Sequence, residues 1–321
     1  MAKRRLRWGR VAVAMCLVSG SIFMLDNFRR DLFKSESNNI VVSGDFSSNS
    51  TRNVEIATAD TRSLGNESEP TTAFEGVANL GFSELSIPSS KLSTGALAVF
   101  TEERPVTEVA NSGMVNLYKN KNEYYTLVSE TVRLNEDAAE AFNKMMEDYH
   151  TATGLADFIV YGTTDTFTGE GSFCPRYFPE SATGNTVDLA LNGYGSVIEY
   201  DGRDIESWVV DNCARYGFIV RYPQGKKDVT MNDYCPWHLR YVGNVHAAIM
   251  NEKGMCLEEY LEFLKDYTFD KAFSYSLDGV EYEIYSVGSM GDSTLARVPI
   301  SGNYTISGNN SDGYIITTIK K

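Results

Sequence analysis

The body of this chain alternates between short segments with helical periodicity and short segments with strand periodicity. Three segments from residue 134 onward place apolar side chains at helical spacing, so that each predicted helix has one apolar face. These predicted helices are LNEDAAEAFNKMMEDYH (134–150), RDIESWVVDNCARYGF (203–218) and CLEEYLEFLKDY (256–267). Asn135 is a good N-cap residue for the first, and Gly217 favours the left-handed end of the second.

Strand patterns lie between these helices and dominate the end of the chain. The predicted strands of the middle region are GALAVFT (95–101), YYTLVS (124–129), DFIVYG (157–162), TVDLAL (186–191) and FIVRYP (218–223). From Phe273 onward, strand-like runs separated by Gly, Asn and Asp turns predict a small all-β module. This mixture of separate strands and helices predicts an α+β fold. Asp188 is informative, because an acid seldom lies inside an otherwise apolar strand.

Residues 35–90 have little periodicity and are rich in Ser, Thr, Asn and Glu. Such a composition buries too little apolar surface to offset the entropy of ordering, so we predict a disordered stalk. The chain of 321 residues has a formal net charge of −14, to which residues 1–34 contribute +6 and the remainder −20. The acidic body argues against nucleic acid as a partner.

The first 34 residues have the pattern of a membrane anchor. Five basic residues precede an uncharged run from Val11 to Leu25, which spans roughly 22 Å as a helix. The excess of basic residues before this run predicts that the N-terminus is cytoplasmic. We therefore expect a single-pass protein of the cell membrane with an extracytoplasmic body, or a secreted protein if the segment is a cleaved signal peptide.

The stretch CPWHLRYVG (235–243) is the strongest candidate for chemistry. A catalytic zinc ion commonly takes three protein ligands and a water molecule, and His238 with Asp188 could supply two of them. His246 lies too far along the chain from His238 for a one-turn pair of ligands. On these residues alone, a packed aromatic-like role for His238 is as good an interpretation as a metal ligand.

A longer segment around this stretch resembles a known family. YGFIVRYPQGKKDVTMNDYCPWHLRYVGNVHAAIMNEKGMCLEEYL (216–261) resembles the C-terminal half of the VanY-type D-alanyl-D-alanine carboxypeptidases, zinc peptidases of the LAS fold. The family's Ser-x-His-x-x-Gly-x-x-x-Asp motif matches PESATGNTVD (179–188). The resemblance covers residues 95–267 and implies an LAS-type antiparallel sheet with packed helices and a cleft at the sheet.

The resemblance also implies that this chain is a degenerate member. Two zinc-ligand positions are kept as Asp188 and His238, whereas the third is Ser181, which cannot replace an imidazole. The position of the general base, a glutamate in the family, is Cys235. Zinc is therefore the family's cofactor, but these substitutions argue against it here.

Two further functional positions differ, and three are kept. Pro179 stands where the motif has its first serine, and Gly162 stands where the family has an arginine after a tyrosine. Trp237, Arg240 and Tyr161 match the family, and at them we expect contact with substrate.

These substitutions predict a catalytically impaired protein of the cell wall. Loss of a general base alone forfeits about 10²–10⁴-fold in rate. We therefore expect a pseudoenzyme whose retained cleft binds a peptidoglycan stem peptide or an envelope protein. One alternative is an active zinc D,D-carboxypeptidase that cleaves terminal D-Ala with substituted metal ligands. Another is a structural envelope protein.

Four cysteines in the predicted extracytoplasmic body permit two disulfides in three pairings. A bridge between Cys174 and Cys235 would close the mouth of the site. In a weaker alternative, Cys235 joins Asp188 and His238 in a rewired zinc site. Cys213 lies on the apolar face of a predicted helix and is most simply a small core residue.

The predicted organisation has four parts. They are a cytoplasmic basic stub with a membrane anchor or signal segment (1–34), a disordered stalk (35–90), a D,D-carboxypeptidase-like domain (91–268) and a β module (269–321).

Overall fold

The computed structural model describes residues 81–106, 113–161, 178–193 and 196–320. Its helices are α1 (Leu117–Asn120), α2 (Glu136–Thr153), α3 (Ser207–Asn212), α4 (Lys227–Thr230), α5 (Asn244–Lys253) and α6 (Leu257–Leu264). Its strands are β1 (Phe82–Pro88), β2 (Met114–Asn116), β3 (Thr126–Leu127), β4 (Arg133–Asn135), β5 (Phe158–Tyr161), β6 (Thr186–Gly193), β7 (Ser196–Glu199), β8 (Phe218–Tyr222), β9 (Cys235–Tyr241), β10 (Phe273–Leu277), β11 (Val280–Gly288), β12 (Ser293–Pro299), β13 (Tyr304–Gly308) and β14 (Gly313–Lys320).

The main sheet has the strand order β3-β5-β6-β9-β8, and β7 pairs with β6. Its pairs are antiparallel except for the short parallel pair of β3 with β5. β6 and β9 come from distant parts of the sequence but lie side by side, so that Asp188 faces His238 across the two strands. Sheet and helices together form the α+β fold that the sequence predicts.

The apolar face of α2 is buried as predicted, and its large side chains enter the same core as strands β5 and β6. Each large apolar side chain stabilises the fold by roughly 1.5–3 kcal/mol when it is fully buried. The predicted N-cap behaves differently, because the Asn135 side chain makes no capping hydrogen bond. Its amide donates instead to Asn185 Oδ1 at 2.6 Å, which links the start of α2 to the turn before β6.

The predicted helix 203–218 is shorter than its pattern suggests. Only Ser207–Asn212 is α-helical, and 3-10 turns at Asp204–Glu206 and Cys213–Tyr216 flank it. The predicted stop is confirmed, because Gly217 takes the left-handed conformation with φ 78°. The chain then enters β8 directly.

The C-terminal strands form an antiparallel sheet in the order β10-β11-β14-β13, which confirms an all-β module in this part of the chain. β12 leaves this sheet and pairs with β1 in a two-stranded ribbon. β1 lies in the range predicted as disordered stalk, so the ordered body begins by Phe82. Residues 1–80, which include most of the predicted stalk, lie outside the described residues.

Residues 92–100, which we call the strap, lie between the β module and the main sheet. The predicted strand 95–101 does not form, because the strap makes scattered hydrogen bonds to the end of β13 and the loop after it instead of a regular ladder. Leu97 N donates to Ser307 Oγ at 2.9 Å, and Gly308 N donates to Thr94 O at 2.8 Å. The strap therefore fastens the β13–β14 region to the rest of the fold.

The β module also shares a hydrophobic core with the preceding helices. Ile284 and Ile315 of the module are buried in one cluster with Leu257 and Tyr260 of α6.

Within the described ranges no helix is long and apolar enough to cross a membrane. The anchor predicted in residues 1–34 lies outside those ranges.

Candidate functional site

The pairing of β6 with β9 brings Asp188 and His238, the two residues predicted as zinc ligands, into direct contact. Asp188 and His238 are cross-strand partners, and such partners project side chains from the same face of a sheet. His238 Nδ1 lies 2.5 Å from Asp188 Oδ1. His238 is fully buried and Asp188 is only 4% exposed, so water does not compete for this hydrogen bond.

A third acidic residue, Glu180, completes the site from the other side of the imidazole. It lies in the 3-10 turn Pro179–Thr183 and is fully buried. Its Oε1 lies 3.1 Å from His238 Nε2 and accepts a hydrogen bond from Tyr222 OH at 3.2 Å. Both ring nitrogens of His238 therefore face carboxylates.

Two arginines neutralise the Glu180 carboxylate. Its Oε2 accepts from Arg221 Nε at 3.1 Å and from Arg240 Nη1 at 3.0 Å. Both guanidinium groups are buried, so their opposite charge acts on Glu180 with little screening. We call Glu180, Arg221, His238 and Arg240, with Asp188 attached to His238, the ion-pair cluster.

These charges control the ionisation of the site. Burial alone would raise the pKa of Glu180, but Arg221, the His238 hydrogen bond and Arg240 hold that pKa below its usual value. Burial lowers the pKa of His238, but the Asp188 and Glu180 carboxylates outweigh it and raise the pKa to about 8. Burial also raises the pKa of Asp188, so His238 and Asp188 both favour holding a proton in the hydrogen bond between them.

Aromatic rings enclose the imidazole. The ring of Phe178 lies 4.4 Å from that of His238, centroid to centroid, and the Tyr222 ring stacks on the imidazole at 5.5 Å. Trp237 meets it edge-on at 5.9 Å. Phe178 is itself 2% exposed, so the imidazole is sealed beneath it.

The residues present do not fit the three-ligand zinc site of the resemblance. Ser181 is buried next to Glu180, and its hydroxyl accepts a hydrogen bond from Phe178 N at 3.4 Å. A neutral serine hydroxyl is not among the usual ligands of zinc, which are thiolate, imidazole and carboxylate. Across the described ranges, no group of three or more His, Cys, Asp or Glu residues could hold a metal ion.

Cys235, at the general-base position, does not belong to the ion-pair cluster. It is half-buried at the start of β9, and its Sγ donates to Asp233 O at 3.3 Å. The structure does not place it with Asp188 and His238 as a third ligand. Cys174 lies outside the described residues, so a Cys174–Cys235 bridge stays a prediction.

The other two cysteines of the described body are free thiols. Cys213 is buried in the main core, as expected for a small core residue, and Cys256 precedes α6. Pairings that use either cysteine therefore do not occur.

The three predicted substrate-contact residues are nearly inaccessible in this state. Trp237 is 6% exposed, Tyr161 is 2% exposed and lies beside Asp188 on β5, and Arg240 is fully buried. Arg240 Nη2 donates to the carbonyl oxygens of Ala96 at 3.0 Å and Ala98 at 3.2 Å. Contact between substrate and Arg240 would require these internal bonds to open. Gly162 lies outside the described residues.

Sequence reasoning missed Glu180, which occupies an unspecified position of the PESATGNTVD motif. The available signal was the pair of arginines, Arg221 and Arg240, in strands with apolar neighbours. Buried arginines require an acidic partner, and Glu180 is the acid closest to the substituted histidine position.

Comparison with known proteins shows that this chain is similar to D-alanyl-D-alanine carboxypeptidases. The family described as "VanY: D-alanyl-D-alanine carboxypeptidase" matches residues 180–244. A D-alanyl-D-alanine carboxypeptidase of Enterococcus faecium is 32% identical over 245 residues, which cover 73% of this chain and 78% of the relative. The match thus extends well beyond the motif region.

One solved structure shows a related architecture. The vancomycin-resistance D,D-dipeptidase VanXYg, in complex with a D-Ala-D-Ala phosphinate analogue, has a TM-score of 0.62 at 23% identity and covers 74% of this chain and 99% of its own. This likeness confirms the LAS-type fold. A VanY mutant from a VanB-type resistance cassette, in complex with Zn(II), has a TM-score of 0.39 at 22% identity and covers 52% of this chain and 98% of its own.

Proposed function

We propose that this chain, which belongs to the VanY family of D-alanyl-D-alanine carboxypeptidases, is a catalytically impaired homologue. In this proposal it binds peptidoglycan stem peptides. Family membership supplies the substrate class, because D-Ala-D-Ala peptides are the substrates for which these relatives are named. The substitutions at Ser181 and Cys235 supply the impairment.

One observation carries the proposal of impaired catalysis. His238 and Asp188, which would both face a metal ion, bond to each other at 2.5 Å, and Ser181 offers no third ligand. A hydrolase of this type needs a metal to polarise the peptide carbonyl and a base to activate water. Cys235 lies outside the ion-pair cluster and provides no carboxylate base.

Calorimetric titration of the protein with an N-acylated peptide that ends in D-Ala-D-Ala tests binding. We expect saturable binding without release of D-alanine. Cys235→Trp adds bulk at a half-buried position beside the cluster and should weaken binding at least about tenfold, by blocking the cleft.

Tyr118→Ala is the matched control, because Tyr118 is 50% exposed on α1, which contributes no residue to the cluster. This variant should bind like the wild type. Absence of saturable binding in the wild type, or equal binding by Cys235→Trp, would contradict the proposed cleft.

We further propose that the protein acts at the cell envelope, with its body outside the cytoplasm. The basic residues before the uncharged run from Val11 to Leu25 support this location. Protease added to intact cells should degrade the body if the proposal is correct and should leave it intact if the body is cytoplasmic.

An active carboxypeptidase is the second candidate, and one contact favours it. A histidine that binds a metal usually donates its other ring N–H to a carboxylate, and Glu180 stands in that position beside His238 Nε2. Measurable release of D-alanine with stoichiometric zinc would establish this candidate over the first.

A further inference from the structure

We propose that the ion-pair cluster is the structural centre of this site, so that the site assembles without zinc and depends on Glu180. The cluster concerns how the site is held together. It therefore stands whether or not the cleft binds a peptide.

Both carboxylate oxygens of Glu180 have hydrogen-bond donors. Tyr222 and His238 lie on Oε1, and Arg221 and Arg240 lie on Oε2, all at 3.0–3.2 Å. A buried ion pair offsets the cost of its desolvation only when its geometry is good and further hydrogen bonds satisfy the remaining lone pairs. Glu180 meets both conditions, whereas Arg240 Nε is buried without a hydrogen-bond partner among the described residues.

Each of the two arginines also binds a partner on the side away from Glu180. Arg221 turns its other edge to Glu258, at the start of α6, with Nη2 to Oε1 at 2.6 Å and Nη1 to Oε2 at 3.0 Å. Arg240 turns its other edge to the carbonyls of Ala96 and Ala98 in the strap. One carboxylate thus ties the turn before β6 to β8 and β9, and through them to α6 and the strap.

The predicted ligand residues offer few free donors to a metal. His238 Nδ1 and Asp188 Oδ1 are bonded to each other, and the Ser181 hydroxyl accepts a hydrogen bond from Phe178 N. The donor set therefore suits an internal network of hydrogen bonds rather than a divalent cation.

The test measures the thermal unfolding of the full chain with a chelator, without additions and with excess Zn²⁺. A ligand that binds only the native state raises Tm by mass action. We expect the three Tm values to agree. A rise in Tm with Zn²⁺ that disappears in Asp188→Asn would overturn the proposal.

Glu180→Gln tests the dependence on the carboxylate. It leaves the buried Arg240 guanidinium without the carboxylate that neutralises it and leaves Arg221 with Glu258 alone, so Tm should fall by about 6–20 °C, with no recovery on adding Zn²⁺. Glu262→Gln is the control, because Glu262 is 74% exposed in its pair with Lys265, and Tm should change by less than about 2 °C. Equal Tm for the two variants would overturn the proposal.

A milder variant covers the case in which Glu180→Gln does not fold. Glu258 is 24% exposed at the outer end of the network, so Glu258→Gln should fold with a Tm between those of Glu262→Gln and Glu180→Gln. The same change should cost less in an Arg221→Met background, because the partner is already absent. Additive losses in the double variant would show that the two side chains are not coupled and would contradict the proposal.

Discussion

Glu180 and Ser181 are neighbours in one 3-10 turn, yet they have opposite roles in the site. Glu180 gathers four donors, including two guanidinium groups and an imidazole. Ser181, at the predicted third zinc-ligand position, accepts a backbone hydrogen bond from Phe178. Asp188 and His238 bond to each other beside it.

The first prediction at this scale restores the missing ligand and base. The double variant Ser181→His, Cys235→Glu supplies three zinc ligands, and zinc affinity should rise at least about tenfold over the wild type. Calorimetric titration with Zn²⁺ measures the change. Adding Asp188→Asn to the double variant should reverse the gain, and no gain at all would show that the motifs are misaligned.

The second prediction concerns His246, whose ring is buried at the junction with the β module. His246 Nδ1 lies 2.8 Å from Tyr260 OH, and Nε2 lies 3.1 Å from Thr317 Oγ1. Burial lowers the pKa of His246 from 6.5 to about 4, so the folded state favours the neutral ring. Its contribution to stability is complete above pH 6.5 and is lost as the pH falls toward 4.

The loss should reach about 3 kcal/mol below pH 4. Urea unfolding of the wild type and of His246→Gln between pH 4 and 7 measures it. The stability difference between the two proteins should shrink as the pH falls. A difference that stays constant with pH would contradict the buried neutral ring.

Sequence reasoning identified Asp188 and His238 because both lie in recognisable motifs. It could not find Glu180, because the partners of Glu180 lie 41 residues away at Arg221 and 60 residues away at Arg240. Only the pairing of the strands brings these charges together. The charge balance of a buried site is therefore a property of the fold, which local patterns do not contain.

At the scale of elements, the strap is the part that departs most from its pattern. The continuous apolar run GALAVFT has the pattern of a buried strand. Leu97 and Val99 are buried, as that pattern predicts. The strap takes hydrogen bonds from the Arg240 side chain and gives them to Ser307 Oγ and Asn309 O. Its hydrogen bonds to the end of β13 do not form a regular ladder, so the strap is buried without becoming a strand.

Gly308 gives the prediction for this element. A Cβ at Gly308 would collide with the backbone carbonyl of Leu92, so Gly308→Ala should destabilise the fold by roughly 1–3 kcal/mol. Gly288→Ala is the matched control, because Gly288 also ends a strand of this sheet and has nothing within 4 Å of its Cβ position. Chemical denaturation compares them, and equal stabilities would refute the close approach of the strap.

At the scale of the molecule, the β module and the preceding domain are not separated as the sequence patterns suggest. Ile284 and Ile315 share a core with α6, and β1 joins the module from the N-terminal side. The change from helical to strand periodicity near Phe273 predicted the module correctly. It could not predict the shared core, because periodicity shows which face is apolar but not what covers it.

The whole fold is of the LAS type, whereas Ser181 and Cys235 depart from the pattern of the resembling family. Trp237 and Arg240 match the family's pattern and are buried in β9, so they support the fold whether or not the site is catalytic. The proposed impairment follows from side chains alone, since the strands that carry them remain paired.

The most direct test is the zinc content of the purified full chain, measured together with D-alanine release from a D-Ala-D-Ala peptide. Our account predicts zinc far below one ion per chain and no release above the rate without protein. One zinc ion per chain, with D-alanine released in proportion to protein concentration, would contradict it.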